Sequence, residues 1–325
     1  MMTAAWQQVQ TAAIGFLLAL PCTGLAEYPE RPVRLVIPST PGSGPDGVGR
    51  ILAMRLSTIL GQQIVVDNRA GANGIVASEI VARAVADGYT LLITSGSHTI
   101  NPHVYRKLPY DTLNDFTPIT RFVATNGLVI AVHPGFVARS MPQLIDAARS
   151  APGKLAYASA GVGNLTHLAA ALFCITAKIE MTHVPYKGGG PAITDLIGGQ
   201  VPLMFASGPA SIPHVKSTRL RAIGVTGLKR MRELPEVPTV DESALKGYEA
   251  TSWYGLYGPA KLPAALVTKL YASTRDAVHH PESRSAYARF DIEPVDGPPQ
   301  AFSLFLREDL SKYAKVVQAA GVEKQ

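Results

Sequence analysis

The chain has 325 residues, a formal net charge of +6 and an apolar share of 47 %. That length accommodates two ordinary domains with buried cores, and so apolar a chain is not disordered. Lys and Arg are scattered without an aromatic-basic cluster, so no nucleic-acid partner is expected, and a mildly basic protein that receives anions explains the charge equally well.

Residues 1–26 carry no charged side chain. Ala12–Leu20 is an apolar run, too short for a bilayer span of ~20 residues. Gly24-Leu25-Ala26 offers a small-x-small cleavage site before Glu27, which predicts an exported precursor cut after Ala26. The usual Lys or Arg ahead of the run is missing. Cleavage removes Cys22 and leaves Cys174 alone, so no internal disulfide is expected. Cys174 lies in the apolar pattern Leu165, Leu168, Leu172, Phe173, as a core thiol would.

From Glu27 onward strands and helices alternate, which predicts α/β layers around mainly parallel sheets. Val33 to Ile37 reads as a strand, followed by a helix with Val48, Ile51, Leu52, Leu56, Ile59 and Leu60 on one face. Ile64–Val66, a helix over Ile75–Val85 and a strand over Thr90–Thr94 follow, the last ending in the polar turn Ser95-Gly-Ser-His98. Val129–Val132 begins a change of region, and Leu144, Ile145 and Ala148 mark a helix. Thr182–Tyr186 runs into Lys187 and three glycines, then a helix with Pro191 near its start. Val201–Phe205 leads into Ala206-Ser-Gly-Pro209 and a short helix, and Leu220–Val225 is a strand. Glu233–Pro238 reads as a surface loop. Two helical patterns close the chain, one through Leu262, Leu266, Leu270 and Thr274, the other through Phe302, Phe305, Leu306, Leu310, Tyr313 and Val317.

Two strand-to-helix turns stand out. Pro38–Asp46 and Ser159–His167 both pass from a short apolar strand through Gly, Ser and Thr into a helix. Free N–H groups and the positive end of the helix dipole meet at such turns and receive anions. One turn per half implies two lobes with a cleft between them. The chain is expected to leave the first lobe near Val123–Asn126 and return near Tyr248–Trp253. Lobe 1 then comprises 27–125 plus 250–325, and lobe 2 comprises 126–249, joined by a two-strand hinge.

Ser39, Thr40, Ser43, Ser95, Ser97, Ser159, Asn164 and Thr166 are each explained singly by helix capping or turn formation. As a set they gather at the C-terminal ends of strands, where open α/β sheets bind ligands. His98 and His167 are candidate donors to a carboxylate, though a lone histidine just inside a helix is more often structural, and Lys187 is a candidate cation for an anion, though a solvated lysine is the commoner case. Asp46 reads instead as completing the first helical turn, since a carboxylate lining an anion site would repel its ligand.

A rival reading comes from Gly42-Ser-Gly44-Pro-Asp-Gly47, which matches GxGxxG, with Asp67 about twenty residues later as a dinucleotide fold requires. NAD is not expected in an exported protein, and the second turn lacks that spacing. There is no GxSxG elbow, HExxH or Cys/His metal spacing, and His279-His280 has no third ligand nearby in sequence. Neither enzyme chemistry nor a cofactor or metal is expected.

A resemblance rests on a series of motifs spread from Tyr28 to the C-terminus. They include Tyr28-Pro-Glu-Arg-Pro-Val-Arg34, Val66-Asp-Asn-Arg-Ala-Gly71, Asp87-Gly-Tyr-Thr-Leu91, Leu108-Pro-Tyr-Asp111, Pro152-Gly-Lys-Leu-Ala-Tyr-Ala-Ser159, His183-Val-Pro-Tyr-Lys-Gly188 and Gly247-Tyr-Glu-Ala-Thr-Ser-Trp-Tyr-Gly255. In these the chain resembles the Bug (TctC-like) solute receptors of tripartite tricarboxylate transporters. The resemblance implies a periplasmic, monomeric, two-lobed flytrap. It would hold a small carboxylate, commonly a dicarboxylate, through amides, hydroxyls and waters, and deliver it to the integral membrane subunits. It implies contacts from Ser39, Thr40, Gly42, Ser43, Gly44, Ser95 and Ser97 in lobe 1. Lobe 2 would supply Ser159, Gly163, Asn164, Thr166, Tyr186 and Lys187. Ser39 stands where the family often has an aromatic residue, and Ala206-Ser207 where an aspartate is common, so Ser207 joins the expected lining. Loss of that acid favours a ligand without an amine. A receptor feeding a membrane sensor kinase is the alternative to a transport role.

Overall fold

A computed structural model describes residues 28–319 and 321–324, so the expected leader and Cys22 lie outside the described residues. In chain order the elements are β1 (Val33–Ile37), α1 (Gly44–Leu60), β2 (Ile64–Asn68), α2 (Ile75–Ala82), β3 (Thr90–Ser95), α3 (Ser97–Val104), β4 (Phe116–Thr125), β5 (Leu128–Val132), α4 (Met141–Ser150), β6 (Ala156–Ser159), α5 (Leu165–Ala177), β7 (Thr182–Pro185), α6 (Gly189–Ile197), β8 (Leu203–Ser207), α7 (Gly208–Lys216), β9 (Arg221–Val225), α8 (Val240–Ser243), β10 (Ser252–Pro259), α9 (Ala264–His279), α10 (Pro281–Ala288), β11 (Ile292–Gly297) and α11 (Pro299–Ala319). None of the described helices is long and apolar enough to cross a membrane.

The strands form two sheets, ordered β11-β4-β10-β3-β1-β2 and β7-β6-β8-β5-β9. Both are mixed, which corrects the expectation of mainly parallel sheets. β1 runs parallel to β2 and β3, while β10 lies antiparallel between β3 and β4, and β11 antiparallel to β4. In the second sheet β6 is parallel to β7 and β8, and β5 is antiparallel to β8 and β9. The strands that pair in parallel, β1, β2, β3, β6, β7 and β8, each lead into a helix, and the turns between carry the serines and glycines.

The sheets are joined where β4 gives way to β5 and where the chain re-enters β10. Thr226, fully buried, ties these two passages together. Its hydroxyl accepts the Leu128 N–H at 2.7 Å and donates to the Ala250 carbonyl at 2.6 Å. Both faces of the first sheet are covered. Val33, Leu35, Leu91 and Ile93 pack with α1, and Val36, Leu92 and Tyr257 pack with α2 and α11. The main core of the second lobe, around Ile130, Phe173, Leu203 and Phe205, also takes in Ile100 and Val104 of α3 and Tyr313 and Val317 of α11. Glu233–Pro238 is a loop as expected, yet its Leu234 and Val237 are buried in the other core of that lobe. Cys174 is a half-buried free thiol packed against the core, and burial raises it to about 11.

Candidate functional site

Between the sheets lies a cavity of about 300 Å³. Its walls come from strand ends and helix starts of both lobes. Ser39, Ser43, Gly44, Ser95, Ser97, Asn164, Thr166, Tyr186, Lys187 and Ser207 all line it, so ten of the expected residues meet in one place. The N-termini of α1, α3, α5, α6 and α7 supply those residues or their neighbours. The described lining contains no Asp, Glu, Arg or His, and Lys187 is its one ammonium. An anion is therefore met by N–H and O–H dipoles and by helix N-termini.

The turn between β1 and α1 is the most open in hydrogen-bonding terms. Ser39 and Ser43 are 6 % and 3 % exposed, and the hydroxyl of each is buried with no partner. Ser43 occupies the N-cap of α1 without capping it, and Pro45 brings no N–H. Two buried hydroxyls without partners are costly unless something polar arrives. Asp46 shapes this turn from behind. Its carboxylate accepts from the Gly42 N–H at 2.9 Å, Arg50 Nε at 2.9 Å and Asn68 Nδ2 at 3.0 Å. Burial alone would raise that carboxyl, but these donors hold it below the usual carboxylate range. Gly42 thus spends its N–H on Asp46 and is not part of the lining.

Four other expected residues also fall outside the lining. Thr40 faces the second lobe, where its hydroxyl accepts the Gly190 N–H at 3.3 Å. His98 is only 1 % exposed and sits among Tyr110, Phe116 and Tyr257. Its Nε2–H donates to the Thr112 carbonyl at 3.0 Å, and burial lowers its pKa to about 4, so it is a neutral core group. Ser159 is fully buried under the second turn, with its Oγ 2.5 Å from His183 Nε2 and 3.1 Å from the Gly161 N. Gly163 donates its N–H to His167 Nδ1 at 3.1 Å. The His167 and His183 rings stack at 3.8 Å between centroids. Burial lowers His167 to about 4, and burial together with His167 lowers His183 to about 3, so both are neutral at pH 7 and His167 acts as a strut.

The sequence reading missed Asn73, Tyr105, Leu128, Gly161, Met204, Ala210, Ser252 and Tyr254, all of which line the cavity. Leu128, Met204 and Ala210 give it an apolar wall. Tyr254 belongs to β10, opposite Ser95 in register. A Cβ at Gly44 would lie 3.1 Å from the Tyr254 hydroxyl and 2.4 Å from Ser207 Oγ, so the backbone of α1 closes directly onto these two groups. The Tyr186 hydroxyl, in contrast, donates to Asp195 at 2.8 Å; burial and that carboxylate raise it to about 12.

The dinucleotide reading fails on Asp67. Its carboxylate is held by Arg34 Nε at 2.7 Å and Arg69 Nε at 2.9 Å, leaving it committed to two guanidinium groups. Among the described residues no group of three or more His, Cys, Asp or Glu could hold a metal.

Two α/β lobes around a cleft of neutral donors define a binding protein of the periplasmic-binding-protein fold. Residues 48–322 match the model of the tripartite tricarboxylate transporter family receptor, TctC, and the chain belongs to that family. The family is one of receptors, not enzymes. The chain is 38 % identical over 294 residues to a protein from the tcbD-tcbE intergenic region of a Pseudomonas species, covering 90 % of this chain and 87 % of that one. An R. palustris protein solved with adipate is 33 % identical, with a TM-score of 0.88 over 92 % of this chain and all of the other. The periplasmic binding protein BugD gives 32 % identity and a TM-score of 0.88 over 92 % of this chain and 100 % of its own.

Proposed function

We propose that this receptor captures a small organic carboxylate without an amine in the interlobe cleft and delivers it to the integral membrane subunits of a tripartite tricarboxylate-type transporter. It does so in the periplasm as a monomer, after export and cleavage behind Ala26. Residues 27–125 with 250–325 form one moving unit and 126–249 the other. The observation that carries the ligand class is the make-up of the lining: unpartnered serine hydroxyls, helix N-termini, one lysine and no acidic side chain. The adipate bound by the R. palustris relative supports a carboxylate, and BugD's description as periplasmic supports the location.

Hydrogen bonds from neutral donors to a charged acceptor contribute ~1.5–3 kcal/mol each, so a few suffice for micromolar affinity. A space of about 300 Å³ equals roughly ten water volumes, which fits a ligand of about ten non-hydrogen atoms. An ammonium group would find no anionic partner in the lining and lose its hydration uncompensated. Ligand contacts to both lobes favour the closed form, which the membrane subunits would recognise.

A thermal-shift panel of mono-, di- and aromatic carboxylates beside amino acids tests this reading. A bound member at a hundred times its Kd adds ~2.7 kcal/mol to stability. The expected result is a shift with simple carboxylates. Tight binding of amino acids and of no simple carboxylate would overturn the ligand class.

A further inference from the structure

Besides the apolar packing of α3 and α11 into the second lobe's core, the lobes meet beside the cavity along two polar seams built from uncharged groups. On the first, Asn164 Nδ2 donates to Asn73 Oδ1 at 3.1 Å and to Ser97 Oγ at 3.2 Å, both in the opposite lobe. Its Oδ1 accepts from the Thr166 N–H and the Thr166 hydroxyl, each at 3.1 Å. Both amide hydrogens and the carbonyl oxygen are thereby occupied, although Asn164 faces the cavity. Asn73 is itself fixed. It adopts φ 51°, its Nδ2 donates to Asn101 Oδ1 at 2.7 Å, and Asn101 Nδ2 donates back to its carbonyl at 3.2 Å.

On the second seam the Gly190 N–H donates to Thr40 Oγ1. A Cβ at Gly190 would lie 3.0 Å from both Thr40 Oγ1 and the Pro41 carbonyl oxygen. Gly190 is inside α6 without a positive φ and does not line the cavity, so its own helix would favour alanine. Its lack of a side chain is explained by the lobe opposite. Among the described residues these two seams hold no ion pair; the exposed pair Arg232–Glu293, 3.4 Å apart, also joins the lobes, but neither of its residues lines the cavity.

We propose that Asn164 with Asn73, and Gly190 with Thr40, are positioning residues that hold the lobes together and set ligand affinity without bonding the ligand. This rests on the carboxylate-receptor reading. Apparent Kd equals the intrinsic value divided by the fraction of receptor able to close. A residue acting only through closure therefore scales the Kd of every ligand by one common factor. A residue that contacts the ligand scales different ligands differently.

The test uses calorimetry with each carboxylate of the panel that the unaltered protein binds, together with small-angle scattering of the ligand-free protein. Asn164→Ser keeps a good N-cap and adds no charge, but is too short to cross the seam. Gly190→Ala suits the helix and intrudes on Thr40 and Pro41, and Gly190→Leu intrudes further. Asn164→Ser is expected to weaken all ligands by the same factor, about tenfold, the weight of one or two neutral hydrogen bonds. Gly190→Ala and Gly190→Leu should weaken them in that order, with no fall in the unfolding temperature of the ligand-free alanine variant. The radius of gyration should rise in all three. Unequal losses among ligands with unchanged scattering would make Asn164 a ligand contact and overturn the proposal, as would unchanged affinities. If the unaltered protein binds no carboxylate, the underlying reading fails and this inference with it.

Discussion

The turn after β1 and the turn after β6 share one sequence signature, yet they use it in opposite ways. After β1 the hydroxyls of Ser39 and Ser43 are buried without partners, and the bracing is done from behind by Asp46. After β6 the turn satisfies itself. The N–H groups of Ala160, Gly161 and Gly163 go to Thr166 Oγ1, Ser159 Oγ and His167 Nδ1. Ser, Thr, Asn and His are as abundant there, but their polar atoms are spent inside the lobe or across the seam. Abundance of donors in a turn is thus a poor guide to donors free for a ligand; what decides is whether a neighbouring acceptor already claims them.

The largest effect should come from Ser43→Glu. A carboxylate placed at the N-cap of α1 suits the dipole and leaves the fold intact, but it fills the anion's place. Calorimetry should find binding lost, at least a hundredfold, with an unchanged circular-dichroism spectrum. Unchanged affinity would place the ligand elsewhere.

A sharper contrast pairs Ser43→Ala with Ser159→Ala. Ser43→Ala removes a hydroxyl that has no partner in the protein, so stability should hold or rise while affinity drops about tenfold, as for one hydrogen bond to a charged group. Ser159→Ala strips His183 Nε2 and Gly161 of a buried partner. Denaturant unfolding should show a loss of ~1–3 kcal/mol, with a much smaller change in affinity. Equal behaviour of the two variants would erase the distinction between the turns.

The histidines beneath the second turn, together with His98, predict a pH dependence. His98, His167 and His183 have folded-state pKa values lowered to about 4, 4 and 3. The unfolded chain takes up protons first as pH falls, so the stability from burying neutral rings is present above pH ~6.5 and declines as pH falls from there toward ~4. Ring resonances of these three should stay still in NMR between pH 8 and 5.5. Titration of His167 near 6.5 would show that the stack is solvated.

The smallest effect is assigned to Lys187→Met. Lys187 is exposed at the cavity edge, so it steers anions rather than holding them. Stopped-flow association should slow a fewfold and lose part of its salt dependence, with little change in dissociation.

Much of the fold was legible because the apolar runs of β1, β3 and β8 and the stripe of α1 are uninterrupted. β10 was not. Ser-Trp-Tyr-Gly-Leu-Tyr-Gly-Pro is buried on both faces between β3 and β4, so it shows no alternation, and its glycines look like turn signals. Gly255 is there because a Cβ would lie 2.3 Å from the Phe302 ring. The first residues of α3, Ser97 and His98, read as part of a polar turn, and the helix itself went unread; its Asn101 and Pro102 are poor helix formers, and Asn101 is committed to Asn73. The serines of the site were readable from strand-turn-helix spacing. Asn73, Met204 and Tyr254 reach the cavity only through sheet order, which no local pattern displays. His98 misled because a polar residue after a serine turn looks ligand-facing, whereas the helix turns it into an aromatic core.

A crystal structure with the tightest-binding carboxylate of the panel tests the central claim most directly. The account predicts carboxylate oxygens within hydrogen-bonding distance of the Ser39 or Ser43 hydroxyl and the first N–H groups of α1, with both lobes closed on the ligand. A carboxylate held by Lys187 alone, with both serine hydroxyls still unengaged, would contradict it.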